Sequence, residues 1–295
     1  MDMPAPFASA LPTVDSKMKP ATPRQRRLAA AYDADIWPLV PERAAEAILR
    51  QLPRIPAAAV LEVGTATGRL ALDVAGRLDG ASHVLGVDGS PALIALAEAA
   101  RERHESGKNV SFRVSEAIPD GRFDVVLSNL ALAETQAPEA AVVELVGSLN
   151  PGGRLILTLP LRGCWTEFLD LYADVLTEQG KREGLAALRA YRANLPDADA
   201  AVTWLEGAGL IDVAVEVDRW ELLFKSAREF FFAPIIEMGP LPTWKLIAGG
   251  HGDEMQDVFF FVKEAIETYF AGGVFPVSVV IGCLRGTKAN APGVT

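Results

Sequence analysis

Cysteine, histidine and positive charge are all scarce in this 295-residue chain, and each shortage removes a class of function. Cys164 and Cys283 stand alone, too few for a disulfide framework and without metal-site spacing, so a reducing cytoplasmic setting is expected and both read as buried thiols. His83, His104 and His251 form no cluster with cysteines or acids at ligand spacing, so no metal is expected. Lys and Arg number 28 against 38 Asp and Glu, a formal charge of -10. A protein that grips a phosphate backbone needs concentrated positive charge, and nucleic acid is therefore not expected as a partner. Long apolar runs are missing too. No stretch approaches the ~20 residues of a membrane helix, and no membrane partner is expected. The start of the chain, with Asp2, Asp15 and the prolines Pro4, Pro6, Pro12 and Pro20, lacks the charged-then-apolar order of a signal peptide. Residues 1–22 read as a disordered tail.

Apolar sequence is plentiful, at 50% of residues, enough to fill one large α/β core over residues 23–295. Strand-like and helix-like segments alternate. Residues 58–63, 83–87, 110–114, 123–128 and 154–159 are short β-rich apolar runs. Between them, 68–78, the alanine-rich 91–103 and 138–149 carry helical spacing, and Asn150-Pro151-Gly152-Gly153 marks a turn. Such alternation implies a mostly parallel sheet with helices on both faces. Ligands of these sheets sit outside the carboxyl ends of the strands, where strand order reverses.

The loop after the first strand reads Glu62-Val63-Gly64-Thr65-Ala66-Thr67-Gly68-Arg69, and glycines there permit backbone angles and close approaches closed to other residues. The second strand ends in Asp88-Gly89-Ser90, and an acid in that place can accept hydrogen bonds from a ribose diol. Asp88 and Ser90 are both candidate caps for the helix beginning near Pro91, Ser90 the better placed. A dinucleotide fingerprint fits poorly, because it puts Ala66 and Arg69 at glycine positions. Glu62 would also repel a pyrophosphate, whereas it suits a ligand carrying an ammonium and a sulfonium.

These residues resemble the class I S-adenosylmethionine-dependent methyltransferases. The acid-x-Gly-x-Gly-x-Gly motif is matched by Glu62, Gly64 and Gly68, with Ala66 in place of the middle glycine and Thr65 beside it. Asp88 matches the ribose-binding acid, followed by Gly89 and Ser90, and Ser115-Glu116-Ala117 resembles the acid-alanine pair beside the adenine amine. Residues 123–129, ending in Asn129, and 149–153 look like the fourth strand and the turn before the fifth. The resemblance implies a Rossmann-like, seven-stranded α/β fold with a cofactor-binding core over 56–160, and S-adenosylmethionine as cofactor. It also implies an N-terminal helical lid and a helical insertion before the last strand. Tyr32, in Tyr32-Asp33, would close over the cofactor or pack into the core. Asp124, at the opposite end of its strand, is expected to be structural.

The substrate side is expected to come from residues 23–55, 161–200 and 225–272. Over 166–192 a long, broken helical region places Phe168 and Tyr172, with Trp165 before them, on one face, and strands follow at 212–217 and 277–284. Glu134, past the fourth strand, and His251, in Gly249-Gly250-His251-Gly252, are the candidate bases, Glu134 being equally suited to capping a helix. The C-terminal part is similar to malonyl carrier-protein O-methyltransferases, which implies a carboxyl acceptor that needs no base. The expected acceptor is a small molecule, methylated at oxygen, nitrogen or carbon, and a homodimer fits two phenylalanine runs, Phe230-Phe231-Phe232 and Phe259-Phe260-Phe261. The alternative is a catalytically silent assembly partner presenting those runs as an open apolar face.

Overall fold

The computed structural model describes residues 23–133, 135, 137–250 and 252–290, and the expected tail, 1–22, lies outside them. Within these bounds the alternation is realised. Helix α1 (Pro23–Ala31) runs into a π-helical turn (Tyr32–Ile36) and then α2 (Pro41–Gln51). There follow β1 (Ala59–Val63), α3 (Arg69–Arg77), β2 (His83–Asp88), α4 (Pro91–Arg101), β3 (Val110–Val114), β4 (Phe123–Asn129), α5 (Pro138–Gly147) and β5 (Leu149–Pro160). Prolines open α2, α4 and α5, where a missing N–H costs nothing. The Ser90 hydroxyl accepts from the Leu93 amide at 3.4 Å, so Ser90, the better-placed candidate, is the cap of α4.

After β5 come α6 (Thr166–Glu178), α7 (Arg182–Ala193), α8 (Ala198–Gly207), β6 (Leu210–Phe224), α9 (Ala227–Phe232), α10 (Pro234–Met238), α11 (Leu241–Ile247), α12 (Asp253–Tyr269) and β7 (Phe275–Lys288). The seven strands form one sheet in the order β3-β2-β1-β4-β5-β7-β6. Pairings β1–β2, β2–β3, β1–β4 and β4–β5 are parallel. Strand order therefore reverses between β1 and β4, and the carboxyl ends of those strands flank the switch point.

By its contacts the chain divides into two compact units. Among the described residues the first contains 23–159, Ala198–Glu216 and 282–290. Its core is formed by Val60, Leu61, Val84, Val125, Leu127, Leu155 and Ile156, all buried, the near-continuous apolar pattern of strands covered on both faces. β5 begins at Leu149 instead of 154, because Leu149 pairs with Phe123 across a register shift that accommodates the Pro151-Gly152-Gly153 turn.

The second unit contains Pro160–Asp197 and Val217–Ile281. The expected broken helix is α6 and α7, interrupted at Gly180, whose φ of 67° lets the chain reverse. Phe168 stacks on Trp244 at 4.1 Å between centroids, Phe230 packs against both, and the Tyr172 hydroxyl donates to the Trp244 carbonyl at 2.7 Å. The phenylalanine runs split as helical periodicity demands. Phe230 is buried and Phe231 half-buried, while Phe232 and Phe260 are 72% and 57% exposed.

Asp124 sits at the amino end of β4, where Oδ2 accepts from the Ala59 amide at 2.9 Å and Oδ1 from Asn150 Nδ2 at 2.8 Å. It ties three segments of the sheet at the end opposite the switch point. Asp124→Ala is expected to lower stability in urea unfolding by about 1–3 kcal/mol, since it leaves donors unpaired, with no change in ligand affinity.

Candidate functional site

The site is built from the loop that follows β1. Gly64 and Thr65 both donate their amides to the Val87 carbonyl, at 2.8 and 3.0 Å, and Gly68 donates to Thr65 O at 2.8 Å, which fixes the loop against the end of β2. Gly64 (φ 76°) is obligatory there, because a Cβ would lie 2.2 Å from Ala131 Cβ in the loop after β4. Gly68 (φ 79°) would meet the Phe112 ring at 2.3 Å. Ala66, in place of the usual glycine, also takes a left-handed conformation at φ 50°. That geometry strains a residue with a Cβ.

Asp88 closes the loop from the second strand. Its Oδ2 accepts from the Ala66 amide at 3.0 Å and its Oδ1 from the Ser90 amide at 2.8 Å. Burial raises its carboxyl above the usual range, against those two bonds. Glu62 lies deeper, 2% exposed, with Oε2 accepting from the Thr65 hydroxyl at 2.7 Å. Burial pushes its carboxyl up to about 8; the Thr65 bond opposes this and the Asp88 charge reinforces it. Gly86, on β2 beside Glu62, leaves room for this pairing, since a Cβ there would stand 2.7 Å from the Thr65 hydroxyl.

Tyr32 joins the group from the N-terminal segment. The ring packs, partly buried, against the core of the first unit, and its phenol is raised by burial and then by the carboxyls of Glu62, Asp88 and Asp33, with Arg69 opposing. Gly89 and Glu116 adjoin: a Cβ on Gly89 would meet Glu116 Cγ at 3.2 Å. Ser115, bonded to Ala117 N and O, folds 115–117 into a tight turn beside them. Asn129 is held differently. Its Nδ2 donates to the Pro41 carbonyl at 3.0 Å and its Oδ1 accepts from the Thr158 hydroxyl at 2.7 Å. His83 pairs with the Ser111 hydroxyl at 2.8 Å, and His104 accepts from the Ser106 amide at 3.2 Å, both away from this loop. Glu134 and His251 lie outside the described residues.

Sequence reasoning missed Asp33, Thr67, Arg69 and Trp37. The Thr67 hydroxyl donates to Asp33 Oδ1 at 2.6 Å, Arg69 Nε lies 3.1 Å from the same oxygen, and the Arg69 guanidinium lies 5.6 Å from the centre of the Trp37 ring. The available signal was Arg69 itself, a long cation immediately after the glycine loop. The carboxyls of Glu62, Asp88 and Asp33 are thus all bonded to the loop after β1, and Asp33 is also paired with Arg69. That charge balance accommodates a cationic ligand with hydroxyls and disfavours a pyrophosphate. Among the described residues no group of three or more His, Cys, Asp or Glu could hold a metal, and no helix is long and apolar enough to cross a membrane.

Residues 56–184 match the family model of a methyltransferase domain. The chain is 32% identical over 168 residues to human methyltransferase-like protein 27, covering 55% of this chain and 67% of that protein. It is 34% identical over 119 residues to demethylmenaquinone methyltransferase of Thermus thermophilus, covering 39% of this chain and 51% of that protein. In fold it is similar to phosphoethanolamine N-methyltransferase 2 of Haemonchus contortus, solved with phosphomonomethylethanolamine and S-adenosylhomocysteine. That match has a TM-score of 0.52 at 16% identity and covers 90% of this chain and 58% of the other.

Two substitutions test the loop. Ala66→Gly removes left-handed strain and is expected to raise stability by about 0.5–1 kcal/mol in urea unfolding, once the entropy of the added glycine is deducted. For Glu62, the folded pKa of about 8 exceeds the ordinary 4.5, so its contribution to stability is lost as pH rises through about 8. Glu62→Gln removes that loss. The variant's advantage in urea unfolding without ligand is expected to be larger near pH ~8.5 than near pH ~6, by on the order of 1–3 kcal/mol. A gap independent of pH would show that Glu62 is not a raised, buried acid.

Proposed function

The chain belongs to the class I S-adenosylmethionine-dependent methyltransferases, and from that premise we propose that it methylates a small-molecule acceptor at oxygen, nitrogen or carbon, a carboxyl group included. The observation that supports the site assignment best is the Asp88 carboxylate, held by the Ala66 and Ser90 amides at the carboxyl end of β2, beside the loop after β1 that borders the topological switch point. Asp88 would take the ribose hydroxyls, the backbone around Gly64 and Gly68 would allow the close approach, and Glu62 would answer the cationic end of the ligand. Glu116 and Ala117 would border the adenine, next to Gly89 and Ser90, and Tyr32 would cover the floor. When bound, S-adenosylmethionine supplies a methyl group already activated by its sulfonium. The protein's own share is then alignment and exclusion of water.

A small acceptor is supported by the formal charge of -10, which disfavours polyanionic partners. A carboxyl acceptor is already ionised at neutral pH and would need no base from the chain. A second reading, a silent assembly partner, draws support from the exposed Phe232 and Phe260.

Calorimetric titration with S-adenosylmethionine, and in parallel with a reduced nicotinamide dinucleotide, separates these readings. Binding of the methyl donor alone is expected, and Asp88→Ala should weaken it at least ~30-fold, the loss of two hydrogen bonds to a charged group. Unchanged affinity in that variant would move the ribose elsewhere. Binding of neither ligand by the parent protein would favour the silent partner.

A further inference from the structure

We propose that Thr158 is a positioning residue: its hydroxyl holds Leu130 in a left-handed conformation and so sets residues 130–131 as the wall against which the donated methyl group lies. The proposal rests on reading the loop after β1, with Glu62 and Asp88, as the methyl-donor site.

Backbone outliers point to this place. Among the described residues the non-glycines with positive φ are Ala57, Ala66, Leu130, Trp165 and Asp212. Two of them, Ala66 (50°) and Leu130 (60°), stand in the loops after β1 and β4, the strands on either side of the switch point. A bulky residue such as leucine is costly in that conformation and keeps it only where its surroundings fix it.

Thr158, on β5 and 0% exposed, does the fixing. The Leu130 amide donates to the Thr158 carbonyl at 3.2 Å and also to Thr158 Oγ1 at 3.1 Å. The first bond continues the β4–β5 ladder; the second is an addition that only a side-chain hydroxyl can make. The proton of that hydroxyl goes to Asn129 Oδ1 at 2.7 Å, and Asn129 Nδ2 donates to the Pro41 carbonyl at 3.0 Å, so the Thr158 oxygen is anchored toward Leu130. The next residue, Ala131, bears on the loop after β1, since a Cβ at Gly64 would lie 2.2 Å from Ala131 Cβ. Leu130 and Ala131 are only half-buried, which leaves this wall accessible to a ligand.

The order of the sheet says which part of the ligand meets the wall. Under the assignment above the adenine borders 115–117, after β3, and the ribose meets Asp88, at the end of β2. The strands run β3-β2-β1-β4, so the rest of the ligand, with the sulfonium and its methyl group, extends over β1 toward β4. Asp88 and residues 115–117 address what S-adenosylmethionine and S-adenosylhomocysteine share. The wall at 130–131 addresses the methyl group that distinguishes them.

The test measures affinity for both ligands by calorimetry, on full-length protein at a temperature where each variant is folded, with hydrogen exchange of the ligand-free proteins alongside. Thr158→Val should weaken S-adenosylmethionine relative to S-adenosylhomocysteine about fourfold, the worth of burying one methyl group. It should also speed exchange of the Leu130 and Ala133 amides about tenfold while β1 stays unchanged. Thr158→Ser keeps the hydroxyl and should match the parent in both respects. Glycine holds a φ of 60° without help, so adding Leu130→Gly to Thr158→Val should bring the affinity ratio back toward that of the parent. Equal weakening of both ligands in Thr158→Val, or a Thr158→Ser variant as impaired as Thr158→Val, overturns the role of the hydroxyl at the methyl end. No recovery in the double variant overturns strain at Leu130 as the cause. If the parent binds neither S-adenosyl ligand, the methyl-donor reading fails and the wall fails with it, while the exchange data still decide whether Thr158 holds Leu130.

Discussion

Two backbone amides, those of Gly64 and Thr65, converge on one carbonyl oxygen, that of Val87, and the rest of the site is hung from that junction. Once the loop after β1 is fixed to the end of β2, the amide of Ala66 is presented to Asp88 and the hydroxyl of Thr65 to Glu62. The hydroxyl of Thr67 turns the other way, to Asp33. Three successive residues thus address three carboxyls. A side chain at position 64 would displace the loop by collision with Ala131, and all three contacts would go with it.

The electrostatic character of the site follows from the same geometry. Glu62, Asp88 and Asp33 are all bonded to the loop after β1, Asp33 also pairs with Arg69, and the two deeper carboxyls are both raised by burial. Glu62, with its carboxyl pushed up to about 8, can give up its proton when a cation arrives, and so can receive positive charge without burying an uncompensated negative charge beforehand. A family member whose cofactor bears an ammonium and a sulfonium has use for such a floor.

Much of this was legible in the sequence wherever the cause is local. The glycine loop could be read because left-handed angles and close approaches restrict residue type at Gly64 and Gly68. Asp88, at the end of a strand and two residues before the Ser90 cap, could be read from its place in the alternation. Asp124 was legible as structural because strand direction alone puts it at the wrong end. The Asp33 contacts were not legible, since Asp33 meets Thr67 and Arg69 only after residues far apart in the chain are brought together. The bond from the Asn129 amide to the Pro41 carbonyl was not legible for the same reason, since it joins residues far apart in the chain. Gly86 gave no signal in a run of strand residues, because the need for glycine arises from the Thr65 hydroxyl and the Phe112 ring across the sheet. The strand limits of β6 and β7 were set by sheet pairing, which hydrophobic pattern alone does not reveal.

The loop after β1 carries two costs to stability, a buried acid at Glu62 and a left-handed alanine at Ala66, and local strain of this kind persists only where surrounding bonds over-determine it. The Val87 carbonyl and the Asp88 carboxylate supply those bonds, so the floor is ordered before any ligand arrives and binding need not order it.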